Sequence, residues 1–266
     1  MYSFEYQRPA GVDAAAAQLA EDDEAVVIAG GMTLIPTLKQ RLAQPTKVVD
    51  LRDCADLVGI KVEGDAVVIG AMTTHAAVAA SAEVAAAIPA LASLAGGIGD
   101  IAVRNRGTIG GSVANNDPAA DYPSAVLALG ATVITNKRSI AADDFFVDLF
   151  ETALEEGEII TAISFPKTAK AGYAKFDQPA SRYALCGVFV ANTASGVRVA
   201  VTGAGQAGVF RSEALEAALS ASFTADAVAG VAVSADGLND DLHGDAAYRA
   251  NIIKVMAKRA VAAATA

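Results

Sequence analysis

The chain has 266 residues, 53% of them hydrophobic, with 20 Lys and Arg against 30 Asp and Glu, so its formal charge is −10. That apolar share excludes a disordered chain, and a fold of this length buries roughly three quarters of its unfolded surface without staples. The acidic balance excludes the basic face that nucleic-acid binding requires, and 62 Ala with no Trp and 6% aromatics point to a core of small, closely packed side chains.

The length suits two or three compact subdomains. The first residues, Met1-Tyr2-Ser3-Phe4-Glu5, lack the basic and apolar regions of a signal peptide, and no Gly- and Pro-free apolar run approaches the ~20 residues of a membrane span. A soluble cytoplasmic protein is expected. Cys54 and Cys186 lie outside any CxxC pair, and His75 and His243 are isolated, so this chain lacks the usual ligand sets for iron–sulfur, zinc or non-haem iron.

In chain order, residues 24–31 (EAVVIAGG) predict a strand ending in paired glycines, and MTLIPTLKQRLAQP carries Leu34, Leu38 and Leu42 at helical spacing. Thr33 is the expected cap, and Pro45 lies beyond the helix. Residues 47–51 predict a strand, and residues 60–72 a hairpin turning at Gly64-Asp65. The Ala-rich stretch 76–95 predicts one or two helices ending at Gly96-Gly97. The run RNRGTIGGSVANNDPAADY, residues 104–122, has neither helical period nor alternation and is expected to be a functional loop. A helix over 123–130, a strand over 131–135, a short helix over 143–152 and a strand over 158–166 follow, with a boundary near 167–171. Beyond it the pattern predicts strands over 172–178, 184–192 and 197–205, helical segments near 212–220 and 224–231, and a final helix over 245–263. That helix carries Tyr248, Ile252, Val255, Met256 and Arg259 at helical spacing, expected in the core. Strands followed by helices make an α+β unit.

Two glycine segments carry the chemistry. Ala29-Gly30-Gly31-Met32-Thr33 at a strand-to-helix turn lets backbone N–H groups approach an anion, although alone such a turn is more often structural. Thr108-Ile109-Gly110-Gly111-Ser112, about 75 residues downstream and followed by Asn115, Asn116, Asp117 and Asp121, supplies a second segment. Two such segments gripping a diphosphate, with an Asp for sugar hydroxyls, suggest a dinucleotide; a pair of tight turns in an Ala-rich chain is the competing reading. His75 reads as structural at a helix start, Cys186 as a core thiol, and the carboxylates of 143–158 as a solvated face. Arg104 and Arg106 serve a phosphate, the loop or a partner equally well.

The segments AGGMT with LIPTLKQRL, GAMTTHAAVAAS, VRNRGTIGGSVANNDPAADYP, EIITAISFP, YAKF, SRYALCGVFVA and AYRANIIKVMAKRA span nearly the whole chain. Together they resemble the FAD-binding medium subunit of the molybdenum hydroxylase (xanthine dehydrogenase) family, particularly the carbon monoxide dehydrogenase type. The resemblance implies an α+β fold. Two N-terminal α/β subdomains of the PCMH (vanillyl-alcohol-oxidase-like) kind, about 1–55 and 56–166, form an FAD-binding domain over 1–166. A C-terminal α+β flavoprotein domain over 172–266, with a three-stranded antiparallel sheet and helices, closes over the cofactor.

By the same resemblance, Ala29, Gly30, Gly31, Met32 and Thr33 form the first pyrophosphate loop, with Leu34 just inside the helix, and Thr108, Ile109, Gly110, Gly111 and Ser112 form the second. Asn115 and Asp121 fall in the ribityl and phosphate region, Ile160 near the flavin ring, and Lys175 and Tyr183 near the isoalloxazine, where Tyr183 stacks. No residue of this chain is implied as catalytic or as a metal ligand. Met32 stands where His or Gln is common, and Arg182 where an Asp often precedes the aromatic; a cation there favours the anionic reduced flavin. The implied role is electron transfer. Substrate is oxidised at a molybdenum cofactor on a large subunit, [2Fe-2S] clusters on a small subunit pass electrons to FAD, and FAD serves an acceptor such as quinone or NAD. A dimer of heterotrimers, a heterohexamer, is implied, cytoplasmic and carried by partners to the inner face of the membrane. The substrate is carbon monoxide or, alternatively, a purine, an N-heterocycle or an aromatic thioester; the rival class is a non-redox nucleotide-binding module.

Overall fold

Short strands of three or four residues near the N-terminus pair side by side in the computed structural model of the chain, which describes residues 1–168 and 170–266. Ala169, inside the boundary expected near 167–171, lies outside the described residues. The chain begins with β1 (Glu5–Gln7), α1 (Val12–Ala20), β2 (Val26–Ile28), α2 (Leu34–Lys39) and β3 (Lys47–Asp50). The strands form a parallel sheet in the order β1-β3-β2. Successive residues of β3 face opposite ways: Val49 joins Ala15 and Leu19 of α1, while Val48 joins Ile28 and Leu38. The two helices therefore cover opposite faces. β1 and α1 escaped the sequence reading because β1 has only three residues and α1 buries only Ala15 and Leu19. α2 stops at Lys39, which leaves Leu42 74% exposed, and among the described residues the Thr33 side chain makes no capping bond.

The second unit runs β4 (Ile60–Glu63), β5 (Ala66–Gly70), α3 (His75–Ala80), α4 (Ala82–Ala87), α5 (Pro89–Gly96), α6 (Ile101–Arg106), α7 (Ile109–Asn115), α8 (Tyr122–Leu129), β6 (Thr132–Thr135), β7 (Ser139–Ala141), α9 (Ala142–Phe145), β8 (Phe146–Asp148), β9 (Glu151–Thr152) and β10 (Ile160–Pro166). Five strands form an antiparallel sheet in the order β4-β5-β10-β6-β7, and β8 pairs with β9 in a separate two-stranded sheet. The Ala-rich stretch makes three helices where one or two were expected, because Ser81 accepts the Val84 N–H at 3.2 Å and Pro89 opens α5.

The expected loop over 104–122 is largely helical. Asp100 accepts the Val103 N–H at 2.8 Å and Thr108 the Gly111 N–H at 3.2 Å, so α6 and α7 each start on a side-chain cap. Helices of six and seven residues are too short to show a period, and glycines inside α7 read as breakers. The short helix expected over 143–152 is one turn followed by the β8–β9 hairpin. Its carboxylates are not all solvated. Glu158 is buried and accepts hydrogen bonds from Thr135, Arg138 and the Glu155 N–H, and Asp143 pairs with Arg198.

The remaining strands, β11 (Ala171–Asp177), β12 (Ala184–Thr193), β13 (Gly196–Thr202) and β14 (Phe210–Arg211), form an antiparallel sheet in that order. This sheet has four strands rather than three, since two-residue β14 is below the length at which alternation is visible. Helices α10 (Glu213–Ala221) and α11 (Ala246–Thr265) complete it, and the expected helix over 224–231 is a single turn at Ala225–Val228. β12 is buried on both faces: Cys186, Val188 and Val190 meet α10 and α11, while Phe189 and Ala191 join the core of the five-stranded sheet. Double burial explains its unbroken apolar run. On α11 the buried face is Ile252, Ile253, Met256, Ala257, Ala260 and Val261, whereas Tyr248 is 41% exposed and Arg259 is exposed. Among the described residues no helix is long and apolar enough to cross a membrane.

Candidate cofactor cleft

A cleft of about 710 Å³ opens between the turn after β2, the ends of α6 and α7, and the loop joining β11 to β12. Cofactor sites occupy roughly 300–1,000 Å³, so its size suits a large organic cofactor. One wall is residues 29–34. Gly31 takes a φ of +74°, which glycine adopts without penalty. Among the described residues no acceptor is assigned to the N–H groups of Gly31, Met32 and Thr33; Ile35 is the first to bond, to the Gly31 carbonyl at 3.0 Å. Free backbone donors beside glycine are what an anion needs.

The adjoining wall uses its donors internally. The Ile109, Gly110 and Gly111 N–H groups bond to Thr73 O, Ala71 O and Thr108 Oγ1 at 3.0, 2.8 and 3.2 Å. A Cβ on Gly110 would meet Ala71 Cβ at 2.5 Å, so this glycine seats α7 on the end of β5 and faces away from the cleft. A Cβ on Gly30 would run into the Arg106 carbonyl, and one on Gly111 would come within 3.4 Å of Ala29 Cβ. The two glycine segments therefore touch and form one continuous wall.

At the far end, Asp121 is 5% exposed, and its Oδ1 accepts from Tyr173 Oη at 2.5 Å and lies 3.1 Å from Lys175 Nζ. Burial pushes the Asp121 carboxyl above its usual range, with Lys175 and Tyr173 opposing the shift. Lys175 also donates to the Gly97 and Arg182 carbonyls, both at 3.0 Å, which ties the β11–β12 loop to the wall. Arg182 holds a left-handed φ of +61°, and Tyr183, 48% exposed, forms the mouth. Arg104 donates to the Ile98 and Gly99 carbonyls at 3.0 and 3.1 Å and so braces the approach to α6. Arg106 lines a recess of about 180 Å³ with Arg52, behind Gly30.

Of the residues singled out in the sequence, Ala29, Gly30, Gly31, Met32, Thr33, Leu34, Thr108, Gly111, Ser112, Asn115, Asp121 and Tyr183 line the cleft. Ile109 and Gly110 lie behind its wall, and Ile160 is 4% exposed in the core under the five-stranded sheet. Lys175 reaches the cleft through Asp121. Sequence reasoning missed Tyr173, although it stands two residues before Lys175 on β11 and so shares its face. It also missed the place of His75, which begins α3 and lines the cleft. Burial, then Arg104, pushes the His75 imidazole down to about 4. Its Nδ1 and the neighbouring Tyr122 hydroxyl are buried without a partner among the described residues, their rings 5.3 Å apart.

A backbone wall free of Cβ atoms, open N–H donors, a braced carboxylate and an aromatic mouth fit a dinucleotide: anion at one end, polar sugar in the middle, flat ring at the other. The fold and cleft thus define a dinucleotide-cofactor-binding α+β protein. Residues 2–168 match the family described as the FAD binding domain in molybdopterin dehydrogenase. The carbon monoxide dehydrogenase medium chain of Hydrogenophaga pseudoflava is 36% identical over 98% of this chain and 96% of its own. The nicotine 6-hydroxylase medium subunit of Paenarthrobacter nicotinovorans is 35% identical over 96% and 95%. Among solved structures, carbon monoxide dehydrogenase from Hydrogenophaga pseudoflava superposes with a TM-score of 0.88 at 37% identity, covering 99% of this chain and 98% of that one. Quinoline 2-oxidoreductase from Pseudomonas putida 86 superposes equally, TM-score 0.88 at 29% identity and the same 99% and 98% coverage. The chain belongs to the FAD-binding medium subunits of the molybdenum hydroxylases, and is an oxidoreductase subunit of that family.

Proposed function

We propose that the chain is the electron-transfer subunit of a carbon monoxide dehydrogenase-like complex, receiving electrons from [2Fe-2S] clusters on a small subunit and delivering them to an external acceptor such as quinone or NAD. In this reading the molybdenum cofactor sits on a large subunit and the assembly is a dimer of heterotrimers, with residues 1–166 holding the cofactor and 172–266 closing over it. The observation that carries it is the glycine-walled cleft, whose glycine wall lies within the matched residues 2–168 and whose mouth is completed by residues 180–183. The medium chain from Hydrogenophaga pseudoflava supports carbon monoxide as substrate; the nicotine 6-hydroxylase relative keeps an N-heterocycle as the second reading.

Bound FAD supplies the exchange between one-electron and two-electron chemistry. The protein supplies the rest. The N–H groups of Gly31, Met32 and Thr33 would hold the pyrophosphate, with Ser112 and Asn115 of the facing segment on its other side. Asp121, its Oδ1 held by Tyr173 and Lys175, would accept from the sugar or ribityl part of the cofactor, and Tyr183 at the mouth would offer a face to the ring system. Arg182 sets a cation at the mouth. Titration with FAD tests the site. Flavin absorption near roughly 450 nm should grow with the wild-type chain, and Gly31→Val or Gly111→Val should weaken binding about tenfold or more while circular dichroism is unchanged. A folded chain that stays colourless with excess FAD, alone and in its complex, refutes the reading. In the assembled enzyme, substrate should bleach the flavin band of the wild type but only the iron–sulfur bands of Gly31→Val.

A further inference from the structure

The β8–β9 hairpin carries a feature that the cofactor cleft does not use. Val147, Leu149 and Phe150 are 56%, 48% and 57% exposed on one short segment. Large apolar side chains exposed together mark an interaction surface. Their presentation is built into the fold. Phe150 holds a left-handed φ of +56° at the turn, a conformation that aromatic residues disfavour. Asn116, buried and itself left-handed at φ +42°, donates from its side-chain amide to the Asp148 and Glu151 carbonyls, both at 2.9 Å, and so locks both strands. Beneath them Phe145 and Phe146 pack edge to face, 5.1 Å apart. A strained backbone persists only where its surroundings over-determine it, and here the strain points an aromatic ring outward.

The rim of this patch decides what covers it. Asp144, Asp148 and Glu151 are exposed and form no ion pair among the described residues. A second copy would set these carboxylates against themselves in a chain of charge −10, and an anionic lipid surface would repel them equally. The complement is a protein face with an apolar pocket edged by Lys or Arg.

We propose that the hairpin over residues 146–152 is the surface through which this chain seats on a partner subunit, one that presents an apolar pocket rimmed by basic side chains. The inference rests on the reading of the chain as one subunit of a hydroxylase complex and goes beyond it by assigning the docking element. The test is co-expression of the tagged chain with its molybdenum and iron–sulfur subunits, comparing wild type with Phe150→Asp and with Phe150→Gly, which accepts the same backbone conformation. Both variants should keep the flavin band and circular dichroism of the free chain while recovery of partner subunits falls about tenfold or more. Asp148→Asn with Glu151→Gln should weaken assembly about threefold at low salt and little at high salt. Full recovery of partners with both Phe150 variants overturns the inference and leaves the subunit reading standing. A wild-type chain that assembles with neither subunit overturns both. A homodimer of the free chain that Phe150→Asp dissolves assigns the hairpin to self-pairing and also overturns the inference.

Discussion

Burial of one imidazole sets an acid limit on the fold. His75 is 4% exposed, and its pKa lies at about 4 in the folded chain against 6.5 when solvated. A depressed histidine favours the neutral form, so its contribution is fully present above pH 6.5 and is lost as pH falls towards 4. That shift corresponds to about 3 kcal/mol at most, so urea unfolding of the apo chain should show stability dropping by up to this amount over the window. His75→Gln should flatten the slope there. A second loss follows below it, because Arg138 and its companions hold Glu158 at about 2 against 4.5, and that contribution disappears as pH falls from 4.5 to 2. Stability unchanged between pH 7 and 4.5 would refute the assignment to His75. The sequence showed His75 opening a helix, which capping by Thr74 explains. Its place on the cleft wall depends on the Gly107 carbonyl accepting the His75 N–H at 3.0 Å, a contact across 32 residues with no local signature.

At the scale of elements, close approach of backbones decides which helix lies on which strand. Gly172 in β11 is such a point: a Cβ there would run into the Ala260 carbonyl of α11 and lie 2.9 Å from the Ala264 nitrogen. Gly172→Val should cost about 3 kcal/mol, the upper end of what overpacking costs, read as a lower denaturation midpoint with unchanged m-value. An unchanged midpoint would mean that α11 shifts freely. Strands β5, β10 and β12 were legible because apolar runs or alternation mark buried strands, and α11 because its length sustains a period. Helix α7 was not, since its two glycines follow from contacts with Ala71 and Ala29 rather than from helix propensity. The β8–β9 hairpin was read as helix because its register depends on Asn116, about 30 residues upstream.

Across the whole molecule, Arg198 latches the C-terminal sheet to the FAD-binding unit. From β13 its guanidinium donates twice to the Leu127 carbonyl at the end of α8, at 3.0 and 2.7 Å, and pairs with Asp143 at 2.5 Å, with the side chain 11% exposed. A cation on a helix C-terminus is favourable, and here it joins the Gly130 N–H, which donates to the same carbonyl at 3.2 Å. Thr202 adds bonds to the Pro118 and Ala120 carbonyls at 3.1 and 2.6 Å beside Asp121. Arg198→Ala should cost about 2–3 kcal/mol and lower the thermal midpoint by roughly 5 °C, read by circular dichroism. A midpoint within error of wild type would show that the units are joined without Arg198, by apolar packing and the Thr202 and Asp121 contacts.

Read by itself, the sequence reveals the two glycine segments, because a backbone that must approach an anion or another backbone excludes Cβ atoms and leaves glycine as its trace. It reveals the buried strands for the same kind of reason, since burial on one face or two imprints a pattern on neighbouring residues. Three features emerge only from the folded chain. The segments around Gly30 and Gly111 are one touching wall, Tyr173 and Lys175 brace the same oxygen of Asp121, and Phe150 is held outward by Asn116. Each is a contact between residues far apart in the chain, and local periodicity carries no record of which distant surfaces will meet.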